Sequence, residues 1–375
     1  MEEKINKKIT VCFFSPASHS FFSPNSNVAH GGAELQMYLW AKSLANYPEF
    51  EVLFLIENHN QKKISPVENI KLIGTIRLKQ QENIITKLFK SIKLFFQLIT
   101  INQDIIISTN ANALTSIIAL YSKIFKKKFI YRTSSLIDVN KNYIDKNGVS
   151  GKLYKFGLLN ASKVITQNAE HRILLKKNHN INAFVLKNSF EIIPKNLPEK
   201  KHILWVSRFA EMKNPYLFLD LAKQISEQKF VMICPYTVSV KKNWEDLKKQ
   251  TENISNLKFI EKVPFNKIQK YFNEAILFVN TSDFEGFPNT FLQAAQAKTP
   301  IVSLNVNPDN FLNEYNCGVF CKNNFNLLIQ ETKNLLKKTD EQIQKGENAY
   351  LYLKENHDIN KIGKQLKEII SKLLN

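Results

Sequence analysis

Short apolar runs alternate with longer stretches of helical periodicity along nearly the whole chain, and this alternation narrows the fold more than any other feature. Strand-length runs stand at Ile9–Phe14, Val52–Ile56, Asp104–Ser108, Lys128–Arg132, Lys163–Thr166 and Ala183–Leu186. A second series follows at Ile203–Ser207, Phe230–Ile233, Leu257–Ile260, Ile276–Val279 and Ile301–Leu304. Helical patterns fill the gaps, among them Ala33–Ala45, Ile84–Ile101, Asn112–Phe125, Pro215–Ser226, Lys241–Thr251 and Asn289–Ala297. Such alternation predicts parallel sheets with helices on both faces. The pattern pauses between Lys187 and Lys201, where Asn188, Ser189, Pro194, Asn196 and Pro198 gather as in a linker. A chain of 375 residues suits two cores better than one. The expected fold is therefore α/β, with two doubly wound Rossmann-like domains over residues 1–190 and 191–358 facing a cleft. Ligands in such folds bind at the carboxyl edges of the strands. Residues 359–375 follow the second sheet, with an amphipathic helix from Ile359 to Leu374.

Composition limits the partners. A formal net charge of +19 favours anionic ones, whether nucleic acid, an acidic membrane surface or phosphorylated small molecules. No nucleic-acid motif or basic–aromatic surface pattern accompanies it, so nucleic acid is not expected as a partner. Cys12, Cys234, Cys317 and Cys321 form no C-x-x-C pair and lack a histidine pair. They read as buried thiols in a reducing cytoplasm rather than a zinc site. The apolar run Ile9–Phe14 is too short for a leader core, and no stretch reaches the roughly 20 apolar residues that span a bilayer.

Three segments just after strands carry chemistry. In the first, Asp283 and Glu285 lie on a polar loop, Gly286 permits a tight turn, and Pro288 precedes a helix starting near Asn289. The backbone N–H groups of that helix start, together with Asn289, Thr290 and Gln293, can hold an anionic or hydroxyl-rich ligand. In the second, Arg208 stands at a strand end and Lys213 one turn later, before Asn214 as N-cap and Pro215 as first helical residue. Two cations there can hold a diphosphate and stabilise it as it leaves. In the third, Gly31 and Gly32 open a helix and let backbone N–H groups approach a phosphate; Glu34, in its first turn, compensates the helix dipole.

The run Glu285-Gly-Phe-Pro-Asn-Thr-Phe-Leu-Gln-Ala resembles the donor-site signature of retaining glycosyltransferases of the GT-B fold, in particular glycosyltransferase family 4. The resemblance implies that Glu285 lies against the donor sugar, with Gly286, Phe287, Pro288, Asn289 and Thr290 around it. It implies that Arg208 and Lys213 bind the donor diphosphate, and that Gly31 and Gly32 face it from the first domain. The family's second acidic residue, which holds the ribose, is Gln293 here; Gln keeps an acceptor oxygen but loses the charge-assisted bond. Where the family often has a histidine, the strand ends in Arg132. Arg132, Asp138 and Glu34 are candidates for acceptor or sugar contacts. Glu261 replaces a small residue near the base and leaves the base open. The resemblance further implies an acceptor-binding first domain, a donor-binding second domain and a last helix that crosses back to the first. The expected reaction is metal-independent, retaining transfer from a UDP- or GDP-linked sugar to a glycan or lipid-linked glycan in surface polysaccharide or glycoconjugate synthesis. No cofactor beyond the substrate is expected. A catalytically degenerate partner subunit and a nucleotide-sugar epimerase are the alternatives.

One segment bears on location. Ile85, Leu88, Phe89, Ile92, Phe95, Phe96 and Ile99 form an apolar stripe at helical spacing, accompanied by Lys87, Lys90 and Lys93. The stripe is expected to pack on the first sheet with its lysines in solvent. A basic amphipathic helix can also lie in an anionic interface, which would make the protein peripheral on the cytoplasmic face of a membrane.

Overall fold

The computed structural model describes residues 8–22, 31–57, 67–77, 83–109, 111–193, 196–236 and 240–375. Of the loop ahead of Gly31, residues 23–30 lie outside these, as does Pro194. The chain divides into two compact units, Met1–Ser189 with Ile359–Asn375, and Phe190–Asp358.

The first unit opens with β1 (Ile9–Phe14), α1 (Gly32–Leu44), β2 (Phe50–Glu57) and β3 (Ile70–Thr75). It continues with α2 (Ile84–Ile101), β4 (Ile105–Ser108), α3 (Leu114–Ile124), β5 (Lys128–Arg132), α4 (Lys141–Lys146) and α5 (Gly148–Leu159). β6 (Lys163–Thr166), α6 (Ala169–His179) and β7 (Phe184–Val185) complete it. The strands form one sheet in the order β3-β2-β1-β4-β5-β6-β7, parallel throughout. Alternation along β1 decides which side chain serves which face. Val11 and Phe13 join Trp40 and Leu44 of α1, whereas Cys12 and Phe14 join Ile118 of α3 and Tyr154 of α5.

The second unit contains β8 (His202–Val206), α7 (Pro215–Gln224), β9 (Phe230–Ile233), α8 (Lys241–Glu252), β10 (Leu257–Ile260) and α9 (Phe265–Asn273). It continues through β11 (Ala275–Asn280), α10 (Asn289–Gln296), β12 (Ile301–Ser303), α11 (Phe311–Glu314), β13 (Gly318–Phe320), α12 (Phe325–Lys337) and α13 (Thr339–Asn356). Its sheet runs β10-β9-β8-β11-β12-β13, again parallel. The chain leaves β8 toward β9 and leaves β11 the other way, toward β12. The β8/β11 boundary is thus a topological switch point, where loops diverge and open a crevice at the carboxyl edge.

The last helix, α14 (Ile359–Leu374), belongs to the first unit. Its buried residues Ile362, Leu366, Ile369 and Ile370 recur at helical spacing and join the core that holds Trp40. Gly363 meets α1 directly; a Cβ there would lie 1.7 Å from Ser43 Oγ.

One expectation fails. The apolar stripe of α2 does not pack on the sheet: only Leu94 and Leu98 are buried, while Ile84, Ile85, Leu88, Phe89, Ile92 and Phe96 are exposed. The reason is where the helix is attached. Apart from Lys90, whose Nζ donates to Arg77 O, it is held by its C-terminal half, through Phe95 against Tyr121 (ring centres 6.0 Å apart) and through Gln97, which accepts from Thr75 Oγ1 at 2.7 Å and donates to Gly74 O at 2.8 Å.

Candidate functional site

Each sheet of hydrophobic strands ends in polar side chains at its carboxyl edge, and in the second unit these converge at the switch point. β11 ends at Asn280, and Thr281, Ser282, Asp283 and Glu285 follow before α10. β8 ends at Val206, and Arg208 and Lys213 follow before α7. Because β8 and β11 are neighbours, the two loops touch. Lys213 Nζ stands 2.8 Å from Glu285 Oε2, with both side chains only 17% exposed. The other carboxylate oxygen, Oε1, accepts from Ser282 Oγ at 2.7 Å and Asn280 Nδ2 at 3.0 Å. Three donors from two loops thus hold the Glu285 carboxylate in one orientation. A pair this sheltered is screened less than an exposed one, for which about 0.5 kcal/mol is typical.

The loops are also fastened to one another. Asn214 is not the side-chain N-cap expected of it. It lies in the left-handed region at φ 45° and makes no cap bond. That backbone turns its amide toward the neighbouring loop, where Nδ2 donates to Thr281 O at 3.1 Å and Asp283 Oδ1 at 2.6 Å. Thr281 Oγ1 donates to Lys213 O at 2.6 Å and accepts from Trp205 Nε1 at 2.9 Å, and Asp283 N donates to Met212 O at 2.9 Å. Lys213 is therefore positioned by the loop that carries Glu285. Arg208 is exposed, and its guanidinium meets no partner among the described residues.

α10 begins at Asn289 behind Pro288, which makes no side-chain cap bond, and its first turn carries no acid of its own. Phe287 is buried, its ring 4.8 Å from His357 and 5.2 Å from Phe311 between centres. That aromatic packing anchors the turn, and Gly286 and Pro288 are buried with Phe287. Asn289 and Thr290 are half-buried. Gln293 is buried, and its carbonyl accepts from Gln269 Nε2 at 3.0 Å. Glu261 is exposed and pairs with Lys248 Nζ at 2.5 Å. Among the described residues, no three His, Cys, Asp or Glu side chains cluster as metal ligands. All four cysteines are buried and unpaired, and burial pushes each thiol up.

The remaining candidates belong to the first unit. Gly31 is the N-cap of α1, and the Glu34 carboxylate folds over it; a Cβ on Gly31 would stand 2.0 Å from Glu34 Oε2. Arg132 is fully buried at the end of β5, with its guanidinium 5.3 Å from the Trp40 ring centre and Nη2 donating to Asn188 Oδ1 at 2.6 Å. Burial lowers its pKa to about 10. Asp138 is also buried and accepts from Ser134 Oγ at 2.9 Å and Ser135 N at 3.1 Å, closing the turn after β5. Sequence periodicity did not single out Asn280, Ser282 or Thr281, although their signal was present: three consecutive polar residues at the end of a continuous apolar run.

His171, near Arg132, gives a pH test. Burial, then the Arg132 charge, lowers its pKa from 6.5 to about 4. The unfolded imidazole takes up a proton near pH 6.5 and the folded one only near pH 4. Its contribution is present above the first value and is lost as pH falls toward the second, by about 3 kcal/mol. Burial lowers His179 and His202 in the same direction, while Asp138, raised by burial, opposes the loss at the acid end. His171→Asn should flatten the fall of the urea midpoint between pH 6.5 and pH 4. An unchanged slope would acquit His171.

Residues 188–361 match the family described as glycosyl transferases group 1. That segment is a group 1 glycosyltransferase domain. It contains Arg208, Lys213, Glu285 and Gln293. The whole chain has the GT-B fold. Sucrose-phosphate synthase from Thermosynechococcus elongatus aligns at TM-score 0.78 and 14% identity, over 98% of this chain and 99% of that one. HepE of Anabaena, solved with UDP-glucose, aligns at 0.73 and 14% identity over 97% and 100%. A glycosyltransferase from Rickettsia africae aligns at 0.73 and 16% identity over 98% and 99%. No curated protein matches the sequence. The group 1 segment ends at residue 361, just inside α14.

Proposed function

We propose that the protein is a retaining, metal-independent glycosyltransferase that moves a sugar from a nucleoside diphosphate sugar to a glycan or lipid-linked glycan acceptor, in surface polysaccharide or glycoconjugate synthesis. The observation that carries this reading is the Lys213–Glu285 pair, 2.8 Å apart at the β8/β11 switch point. The second unit takes the donor. Arg208 and Lys213 hold its diphosphate, the start of α10 lies beside the sugar and nucleotide, and Gln293 meets a ribose hydroxyl. The first unit takes the acceptor. In the transfer step the bond from the anomeric carbon to the phosphate oxygen breaks and the acceptor oxygen bonds to the same face. The acceptor proton passes to the departing diphosphate. Glu285 orients the sugar and opposes the positive charge that grows on it, while the two cations stabilise the leaving group.

UDP sugars are the first donors to test, since HepE is recorded with UDP-glucose; GDP sugars are the second. A ligand that binds only the native state adds RT ln(1 + [L]/Kd), about 2.7 kcal/mol at a hundred times Kd. One nucleotide sugar in a UDP and GDP panel should therefore raise the unfolding temperature by about 2–4 °C, and the same sugar should be released or transferred in chelator. A flat panel with no sugar release would overturn the reading. A non-catalytic GT-B partner subunit is the second reading, favoured by Gln293 in place of an acid. It predicts the thermal shift without turnover.

A further inference from the structure

Helices α2, α3 and α5 lie side by side over one face of the first unit's sheet. Phe95 of α2 packs edge-on against Tyr121 and at a tilt to Phe125, with ring centres 6.0 and 6.2 Å away. Gly157 lets α5 approach α3 so closely that a Cβ there would stand 2.6 Å from the Thr115 carbonyl carbon. The outer sides of these helices are apolar. On α2, Ile85, Phe89, Ile92 and Phe96 recur at spacings of four, three and four, flanked by Ile84 and Leu88; the six are between 48% and 82% exposed. On α5, Val149, Leu153 and Phe156 repeat the pattern, and α3 adds Ile124. Single exposed hydrophobics are ordinary, but stripes over successive turns of adjacent helices mark an interaction surface.

The charges on these helices all have one sign. Lys87, Lys90 and Lys93 lie on α2, Lys123 on α3, and Lys152 and Lys155 on α5; none of the three helices carries an acid. Lys90 and Lys93 follow one edge of the α2 stripe, as cationic residues do in helices that lie in a lipid interface. No helix among the described residues is long and apolar enough to cross a membrane. A second copy of the chain is a poor occupant, because a twofold contact sets each patch against itself and would oppose lysines to lysines. Nucleic acid would leave the aliphatic side chains in water.

We propose that the α2–α3–α5 face docks on an anionic bilayer surface, its apolar side chains at the headgroup boundary and its lysines among the lipid phosphates. The proposal is independent of the sugar-transfer reading, since vesicle binding requires no donor.

The test uses the full chain and sedimented vesicles of phosphatidylcholine with or without about 30% phosphatidylglycerol. Anionic vesicles should bind at least about tenfold more tightly than neutral ones, and the preference should shrink in high salt. I85E/F89E should lose about tenfold of that binding, and K87Q/K90Q/K93Q should lose the anionic preference. The second variant keeps the test decisive if the first misfolds, and unfolding midpoints check both. K242Q/K249Q, on the exposed side of α8 in the other unit, should bind as the parent does. Absent binding, equal binding to neutral vesicles, or an equal loss in K242Q/K249Q would overturn the proposal. So would a dimer in ultracentrifugation that I85E/F89E dissolves while vesicles are ignored.

Discussion

Glu285→Ala should lower kcat for sugar transfer or donor hydrolysis by about 10²–10³ while leaving affinity for the free nucleoside diphosphate within about twofold. The expectation follows from how the carboxylate is held. Asn280 is the last residue of β11, so its amide is fixed by the sheet. Ser282 is tied back to it, with its N–H donating to Asn280 Oδ1 at 3.1 Å. Lys213 is fixed by Thr281. A charge oriented before the substrate arrives needs no reorganisation as positive charge grows on the sugar, and effects of this kind are worth about 3–4 kcal/mol per group. Glu285→Gln separates charge from shape. It can still accept from Asn280 and Ser282, but it sets an amide against the Lys213 ammonium. Both variants should fail in kcat. Activity kept by Gln and lost in Ala would make the side chain a spacer, and activity kept by both would remove Glu285 from the centre of the site.

The fold was legible where burial is symmetrical. β1, β5, β6, β9 and β10 are continuous apolar or half-apolar runs bounded by polar residues, and their observed limits coincide with those read from the sequence. β3 was missed because it reads Ile-Lys-Leu-Ile-Gly-Thr, with a charge and a glycine that weaken the strand signal. β13 has only three residues. α2 shows a different limit. Its period was correct to the residue, but periodicity reports that a helix has an apolar side, not what covers it. Asn214 shows a third: an asparagine before a proline is a good N-cap statistically, yet asparagine also tolerates the left-handed region, and here tertiary contacts with Thr281 and Asp283 decide. In the site, the types of Glu285, Arg208 and Lys213 were readable from their own segments. The meeting of Lys213 with Glu285 was not, because it depends on β11 lying beside β8 rather than on any local pattern.

The same geometry assigns different shares of the phosphate chemistry to the two cations, and mutating each should split Kd from kcat. Lys213 already spends its ammonium on Glu285, so a bound diphosphate must share it with a carboxylate. Such a group contributes little to the ground state and more as negative charge accumulates on the leaving oxygen. Arg208 has no such competitor among the described residues, and its planar fork suits two phosphate oxygens at once. Arg208→Ala should therefore weaken UDP or GDP binding by about 10- to 100-fold, the scale of a charge-assisted hydrogen bond worth about 1.5–3 kcal/mol. Arg208→Lys should recover only part of this, because a point charge replaces the fork. Lys213→Ala should shift nucleotide Kd less than Arg208→Ala does, yet cost more in kcat, since it removes both the leaving-group cation and one of the three donors that orient Glu285. Calorimetric titration of the diphosphate and single-turnover donor cleavage measure the two quantities separately. The opposite split, with Lys213 governing affinity and Arg208 governing rate, would show that the ion pair opens before the donor binds and would reassign the two roles.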